Sequence, residues 1–154
     1  MSIHEATVSW QLTTGDFAKG TYNRLHKWTF DGGATWLSSA SPQVVPPPLT
    51  DPAGVDPEEA FVAAIASCHM LWFLDLARRA GYAAASYRDL AQGHLTSNTE
   101  GKHWLAQVDL SPRVTWTIVA PHRQIVEGLH HAAHENCYIA NSVKTKIEVH
   151  PLLV

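Results

Sequence analysis

A chain of 154 residues with 45% hydrophobic and 16% charged content has the apolar material for one folded domain with a substantial core, and is not a disordered chain. A formal net charge of −3, with no basic block, argues against a general nucleic-acid binder. No apolar run reaches the roughly 18 residues of a membrane span, and Met1-Ser2-Ile3-His4-Glu5 lacks a secretory pattern, so a cytoplasmic protein is expected.

The first third reads as β. Residues 6–12 alternate, with Val8, Trp10 and Leu12 on one face, and the chain turns at Thr14-Gly15-Asp16. Residues 22–30 alternate again, placing Tyr22, Arg24, His26, Trp28 and Phe30 together, before a turn at Asp31-Gly32-Gly33. Residues 38–55, with Pro42 and Pro46-Pro47-Pro48, read as a loop long enough for a lid or a wrapping arm. A long helix then starts. Asp56 can cap, Pro57 takes the first helical position, and Glu59 lies three residues past the cap, the spacing of a capping box. Phe61, Ile65, Cys68, Trp72 and Leu76 follow at helical spacing, Arg78-Arg79 sits at the negative end, and Gly81 is a natural stop.

Residues 86–95 and 103–110 read as strands around a turn at 97–101, and residues 113–119 as another. Ala120-Pro121 breaks the pattern, residues 123–136 are helical through Ile125, Val126, Leu129 and Ala133, and residues 146–149 end the chain with a short strand. The order β-β, long helix, β-β-β, helix, short β makes a single α+β domain over residues 1–154, with antiparallel sheet packed on the long helix.

The chemistry centres on two cysteines, Cys68 midway along the long helix and Cys137 closing the histidine-rich helix His130-His131-Ala132-Ala133-His134-Glu135-Asn136. In a reducing compartment a disulfide between them would be transient and catalytic rather than structural; two buried, inert thiols are the alternative. If the fold joins them, one thiol can be oxidised to a sulfenic acid and the other can condense with it. An apolar helix interior disfavours a thiolate, so a reactive Cys68 needs a cation nearby. Only Lys19, Arg24 and Lys27, apart from histidines, precede it, and Arg24 is the only arginine in the first 77 positions. A guanidinium stays charged and can hold a thiolate with one edge and a carboxylate with another.

The segment from Pro57-Glu58-Glu59 to Ala66-Ser67-Cys68-His69 resembles the signature of the OsmC/Ohr family of peroxide-reducing proteins, and His134-Glu135-Asn136-Cys137 falls where that family carries its second thiol. The resemblance covers nearly the whole chain and implies the OsmC-like fold, an intertwined homodimer with sites at the interface, and reduction of organic hydroperoxides. It implies that Cys68 is the peroxidatic thiol, Cys137 the resolving thiol, and Glu58 the carboxylate that orients an arginine. The chain departs from the family pattern in two places: no arginine stands shortly before Pro57-Glu58, and Tyr138 replaces the proline common after the second cysteine. Both mark a divergent branch. Arg24 is then the candidate for the missing cation. Glu58 and Cys68 are separated by roughly 15 Å along one helix, so to meet one guanidinium either the helix breaks or Glu58 comes from another chain. No bound cofactor is implied, since sulfur carries the electrons; the reductant is an external dithiol, such as a lipoyl-type dithiol.

Two rivals stand beside this reading. One is a small-molecule-binding or stress-sensing protein on the same scaffold. The other is a zinc-stabilised domain, for which His130, His134 and Cys137 share a helix face and Cys68-His69 could complete the set. His69, turned about 100° around the helix from Cys68, reads as a group behind the site or at the surface rather than a base.

Overall fold

In the computed structural model, which describes residues 1–152, the chain forms two compact units, residues 1–60 and the described residues from 61 onward. Unit 1 holds a three-stranded antiparallel sheet of β1 (Ala6–Trp10), β2 (His26–Phe30) and β3 (Thr35–Ser38), in the order β1-β2-β3. Val8 pairs with Trp28, and Trp28 with Trp36. The third strand was not anticipated from sequence, since Trp36 and Leu37 are adjacent apolar residues that break a polar–apolar alternation.

The expected strand over residues 22–30 begins only at His26. Asn23 is the reason: its side-chain oxygen accepts from the Thr13 and Thr14 N–H groups at 2.9 and 3.3 Å, and its amide donates to the Gln11 and Leu25 carbonyls. One buried side chain thus satisfies four backbone groups and competes with a sheet ladder. Gly15 is required in this turn. Its φ is 83°, and a Cβ there would lie 1.8 Å from the Thr21 carbonyl oxygen. The segment over residues 38–55 is fastened within its unit. Ser39 N–H donates to Val55 O at 3.2 Å, Val55 N–H to Leu37 O at 3.0 Å, and Asp51 N–H to the Ser39 hydroxyl at 3.0 Å.

The long helix α1 spans Pro57–Arg79. Its start is the expected capping box: Glu59 N–H donates to Asp56 Oδ1 at 2.7 Å, and Asp56 N–H to Glu59 Oε2 at 3.1 Å. Its end is a Schellman motif around Gly81, whose φ is 84°; Gly81 N–H reaches Arg78 O at 3.1 Å and Tyr82 N–H reaches Ala77 O at 2.9 Å. Length and composition alone would let α1 cross a membrane, although polar residues interrupt it. Its buried stripe Ile65, His69, Phe73 and Ala77 is instead packed inside unit 2.

Unit 2 continues with β4 (Ala84–Asp89), β5 (Gln92–Ser97), β6 (His103–Leu110), β7 (Pro112–Trp116), α2 (Arg123–Asn136), a 3-10 turn at Ala140–Ser142, and β8 (Lys146–Val149). The strand expected over residues 86–95 is two strands in two sheets: β4 pairs antiparallel with β7, while β5 joins β6 and β8. Asp89 accepts the Ser111 N–H at 2.6 Å where the chain changes sheet. The strand expected over residues 113–119 is the shorter β7. Sheet β5-β6-β8 is not wholly antiparallel, since β8 lies parallel to β6, reached through β7 and α2.

Two apolar clusters fill the unit. Phe73 and Ala77 meet Val114, Val126 and Ala133 from β7 and α2. Ile65 meets Val108 and Leu110 of β6. Gly93 on β5 allows the sheet to approach α1, since a Cβ would lie 2.6 Å from a Val62 methyl.

Candidate functional site

Cys68 and Cys137 come together in unit 2. Cys137 follows the last turn of α2, is 1% exposed, and accepts the Ala140 N–H at 3.4 Å through its sulfur. Burial pushes its thiol up to about 11, with the neighbouring Cys68 thiol adding in the same direction. Cys137 is therefore a protonated thiol at neutral pH. Cys68 is half-buried, and both cysteines are free thiols.

Cys68 lines an open cavity of about 450 Å³ between α1 and the segment after α2. Ala64, Leu71, Trp72, Tyr138 and Ile139 supply apolar wall. Trp72 and Tyr138 meet edge to face, with ring centroids 5.6 Å apart. Tyr138, the residue in place of the proline, is thus part of the wall. Asp75 is the one charged group in the lining among the described residues. Its carboxylate is held below the usual range by the Arg78 hydrogen bond first and the Arg79 charge besides, at 2.8 and 2.7 Å. No lysine or arginine lines this cavity among the described residues.

Arg24 and Glu58 lie in unit 1. Arg24 sits in the turn-rich segment before β2, with its guanidinium carbon 3.5 Å from the Tyr22 ring centroid. It donates to the carbonyls of Tyr22 and Gly20. Glu58 is half-buried in the first turn of α1. The two form no ion pair within the chain among the described residues, and α1 runs unbroken through Glu58 and Cys68, so the helix break that sequence allowed is not there.

Of the two places expected for His69, behind the site or at the surface, the structure has the first: it is 1% exposed, does not line the cavity, and its Nε2 lies 3.0 Å from Nδ1 of His130, which is 2% exposed. His130 also stacks on Phe73 with centroids 4.0 Å apart. Burial lowers His69 to about 4 and His130 to about 3, so both are neutral and one proton is shared between facing nitrogens. The ligating atoms of Cys68, His69, His130, His134 and Cys137 do not gather into a metal-binding group among the described residues. The helical period offered the signal for this pair, because His69 is four residues from both Ile65 and Phe73.

Comparison with known proteins places these observations. A family model described as OsmC-like protein matches residues 50–151. An OsmC-like protein of unknown function from Vibrio cholerae O1 biovar eltor superposes with a TM-score of 0.95 at 48% identity, over 99% of this chain and 100% of that one. The organic hydroperoxide resistance protein OhrB of Bacillus subtilis gives 0.72 at 17% identity, over 98% of each chain. An organic hydroperoxide resistance protein of Elizabethkingia anophelis gives 0.72 at 16% identity, over 98% of this chain and 94% of that one. Among curated proteins none matches.

Proposed function

We propose, for a chain that belongs to the OsmC-like family, that it reduces organic hydroperoxides to alcohols through Cys68 and Cys137. The observation that carries this reading is the asymmetry of the pair: one thiol faces an apolar cavity, and its neighbour is buried and protonated. The Cys68 thiolate attacks the distal peroxide oxygen; an S–O bond forms, the O–O bond breaks, and the alkoxide leaves as alcohol after taking a proton. Cys137 then attacks the sulfenic sulfur, and the disulfide forms as water departs. An external dithiol, of the lipoyl type, returns both sulfurs to thiols. The apolar wall favours organic peroxides over hydrogen peroxide, because a buried alkyl or aryl group gains about 25 cal/mol per Å² removed from water.

The cation is proposed to come from Arg24 and its orienting carboxylate from Glu58, in a cytoplasmic homodimer whose sites use both chains. That no lysine or arginine lines the Cys68 cavity among the described residues supports a second contributor.

One equivalent of cumene hydroperoxide should consume both thiols and yield an intramolecular disulfide. A Cys137→Ser chain should stop at a Cys68 sulfenic acid, trapped with dimedone and read by mass spectrometry. Oxidation of Cys137 with Cys68 left reduced would reverse the roles and end the proposal. Binding without turnover is the second reading, favoured by a cavity in the size range of small-ligand pockets; it requires peroxide to leave both thiols intact in the same experiment.

A further inference from the structure

On the sheet β5-β6-β8, away from the cysteines in sequence and chemistry, the strand register gathers a second set of reactive side chains. Asp109 on β6 is the direct partner of Glu148 on β8, and of Gln92 on β5. Val108 and Leu110 on either side of Asp109 are fully buried, so Asp109 faces the other side of the sheet. His150, just past β8, is fixed by its backbone N–H on Leu110 O at 2.8 Å. One ligand atom each from Asp109, Glu148 and His150 lies within 4.8 Å of the others.

We infer that Asp109, Glu148 and His150 form a binding site for a first-row divalent metal ion of the zinc class, with His94 orienting Asp109. The spacing fits such an ion. A tetrahedral zinc stands about 2.1 Å from its nitrogen and oxygen ligands, which sets those ligands about 3.4 Å apart. His150 Nε2 is 3.6 Å from Asp109 Oδ1 and 3.6 Å from Glu148 Oε2, each within a few tenths of an ångström of that spacing. The fourth position faces solvent and takes water.

The surrounding groups are arranged for this. His94 Nε2 contacts the other Asp109 oxygen, Oδ2, at 2.6 Å, which holds the carboxylate as an outer partner holds a metal ligand. Lys146 pairs with Glu148 Oε1 and leaves Oε2 for the ion. The Gln107 amide nitrogen lies 2.6 Å from Asp109 Oδ1 and 3.4 Å from Glu148 Oε2, a donor spanning the oxygens that a cation would bridge. Turned over, the same amide offers its carbonyl oxygen. A mixed set of two carboxylates with imidazole suits zinc, nickel or cobalt better than calcium or magnesium, which prefer oxygen alone. A bound ion would tie β8 to β6 across their parallel pairing.

The test uses the full, tag-free chain carrying Cys68→Ser and Cys137→Ser, so that thiols do not compete for metal. Zinc titrated against a chromophoric chelator should bind at one ion per chain with micromolar or tighter affinity. His150→Ala and Asp109→Asn should each weaken binding by about a hundredfold or more, and His94→Ala by roughly tenfold to a hundredfold. Cobalt added to the unmodified chain provides a second reading. Visible d–d bands without a sulfur-to-cobalt charge-transfer band are expected. Absence of saturable micromolar binding, zinc affinity unchanged by both His150→Ala and Asp109→Asn, or a cobalt spectrum dominated by sulfur ligation overturns the inference.

Discussion

A thiol attacks a peroxide only as its thiolate, and a site lined by Leu71, Trp72 and Ile139 gives that anion little help. Arg24 is proposed to supply it. Its guanidinium carbon lies over the Tyr22 ring, and its donors divide between backbone carbonyls and any partner the second chain presents. If it stabilises the thiolate in the dimer, Arg24→Met will slow Cys68 alkylation at neutral pH and peroxide turnover by roughly tenfold to a hundredfold, the worth of one charge-assisted contact. Arg24→Lys will restore part of the rate, since an ammonium lacks the planar fork. Glu58→Gln will give a smaller defect of the same sign. Unchanged alkylation and turnover in Arg24→Met would leave the arginine a turn residue only, stacked on Tyr22. Nothing in the local pattern around Arg24 announced that turn; alternation from Tyr22 to Phe30 is genuine, and the four hydrogen bonds of Asn23 outweigh it.

At the scale of elements, the His69–His130 contact fastens α1 to α2, the two helices that carry Cys68 and lead into Cys137. Its cost appears in acid. Both histidines titrate near 6.5 when unfolded, and burial takes His69 to about 4 and His130 to about 3. Between those values the unfolded chain binds protons that the folded chain refuses, so stability is complete above pH 6.5 and falls as pH drops toward 4. With about 1.4 kcal/mol per pKa unit, the loss is on the order of a few kcal/mol. Thermal unfolding at pH 7.5 and 4.5 should therefore show a large acid drop in Tm. The double variant His69→Leu/His130→Leu, which removes both partners for residues of similar bulk, should flatten it. An equal acid drop in the double variant would assign the loss to other groups.

At the scale of the whole molecule, large apolar side chains stand exposed in both units. Only 22% of the most apolar stretch of α1 is buried, and Leu71 is 61% exposed. In unit 1 every residue of β1 is exposed, Val8 and Trp10 among them, and on β3 Trp36 and Leu37 are as well. Large uncovered apolar faces mark interaction surfaces, which supports the proposed homodimer with an interface in the obligate class. Sedimentation velocity at low micromolar concentration should return the dimer mass alone. A monomeric chain with full peroxidase activity would remove the shared-site proposal, and with it the role given to Glu58.

The sequence by itself determined what is set within a few residues of chain: the capping box at Asp56, the stop at Gly81, the extents of α2 and β8, and the two cysteine helices that carry the family resemblance. Caps and helical spacing act over one turn, so their signals are local. Only the tertiary structure decided which strand meets which, as in the parallel β6–β8 pair and the parting of β4 from β5, because a ladder depends on partners tens of residues away. The same holds for burial. His69 and Cys68 are neighbours in sequence, yet one is locked inside against His130 and the other opens onto a cavity, since a helix turns each residue toward a different face.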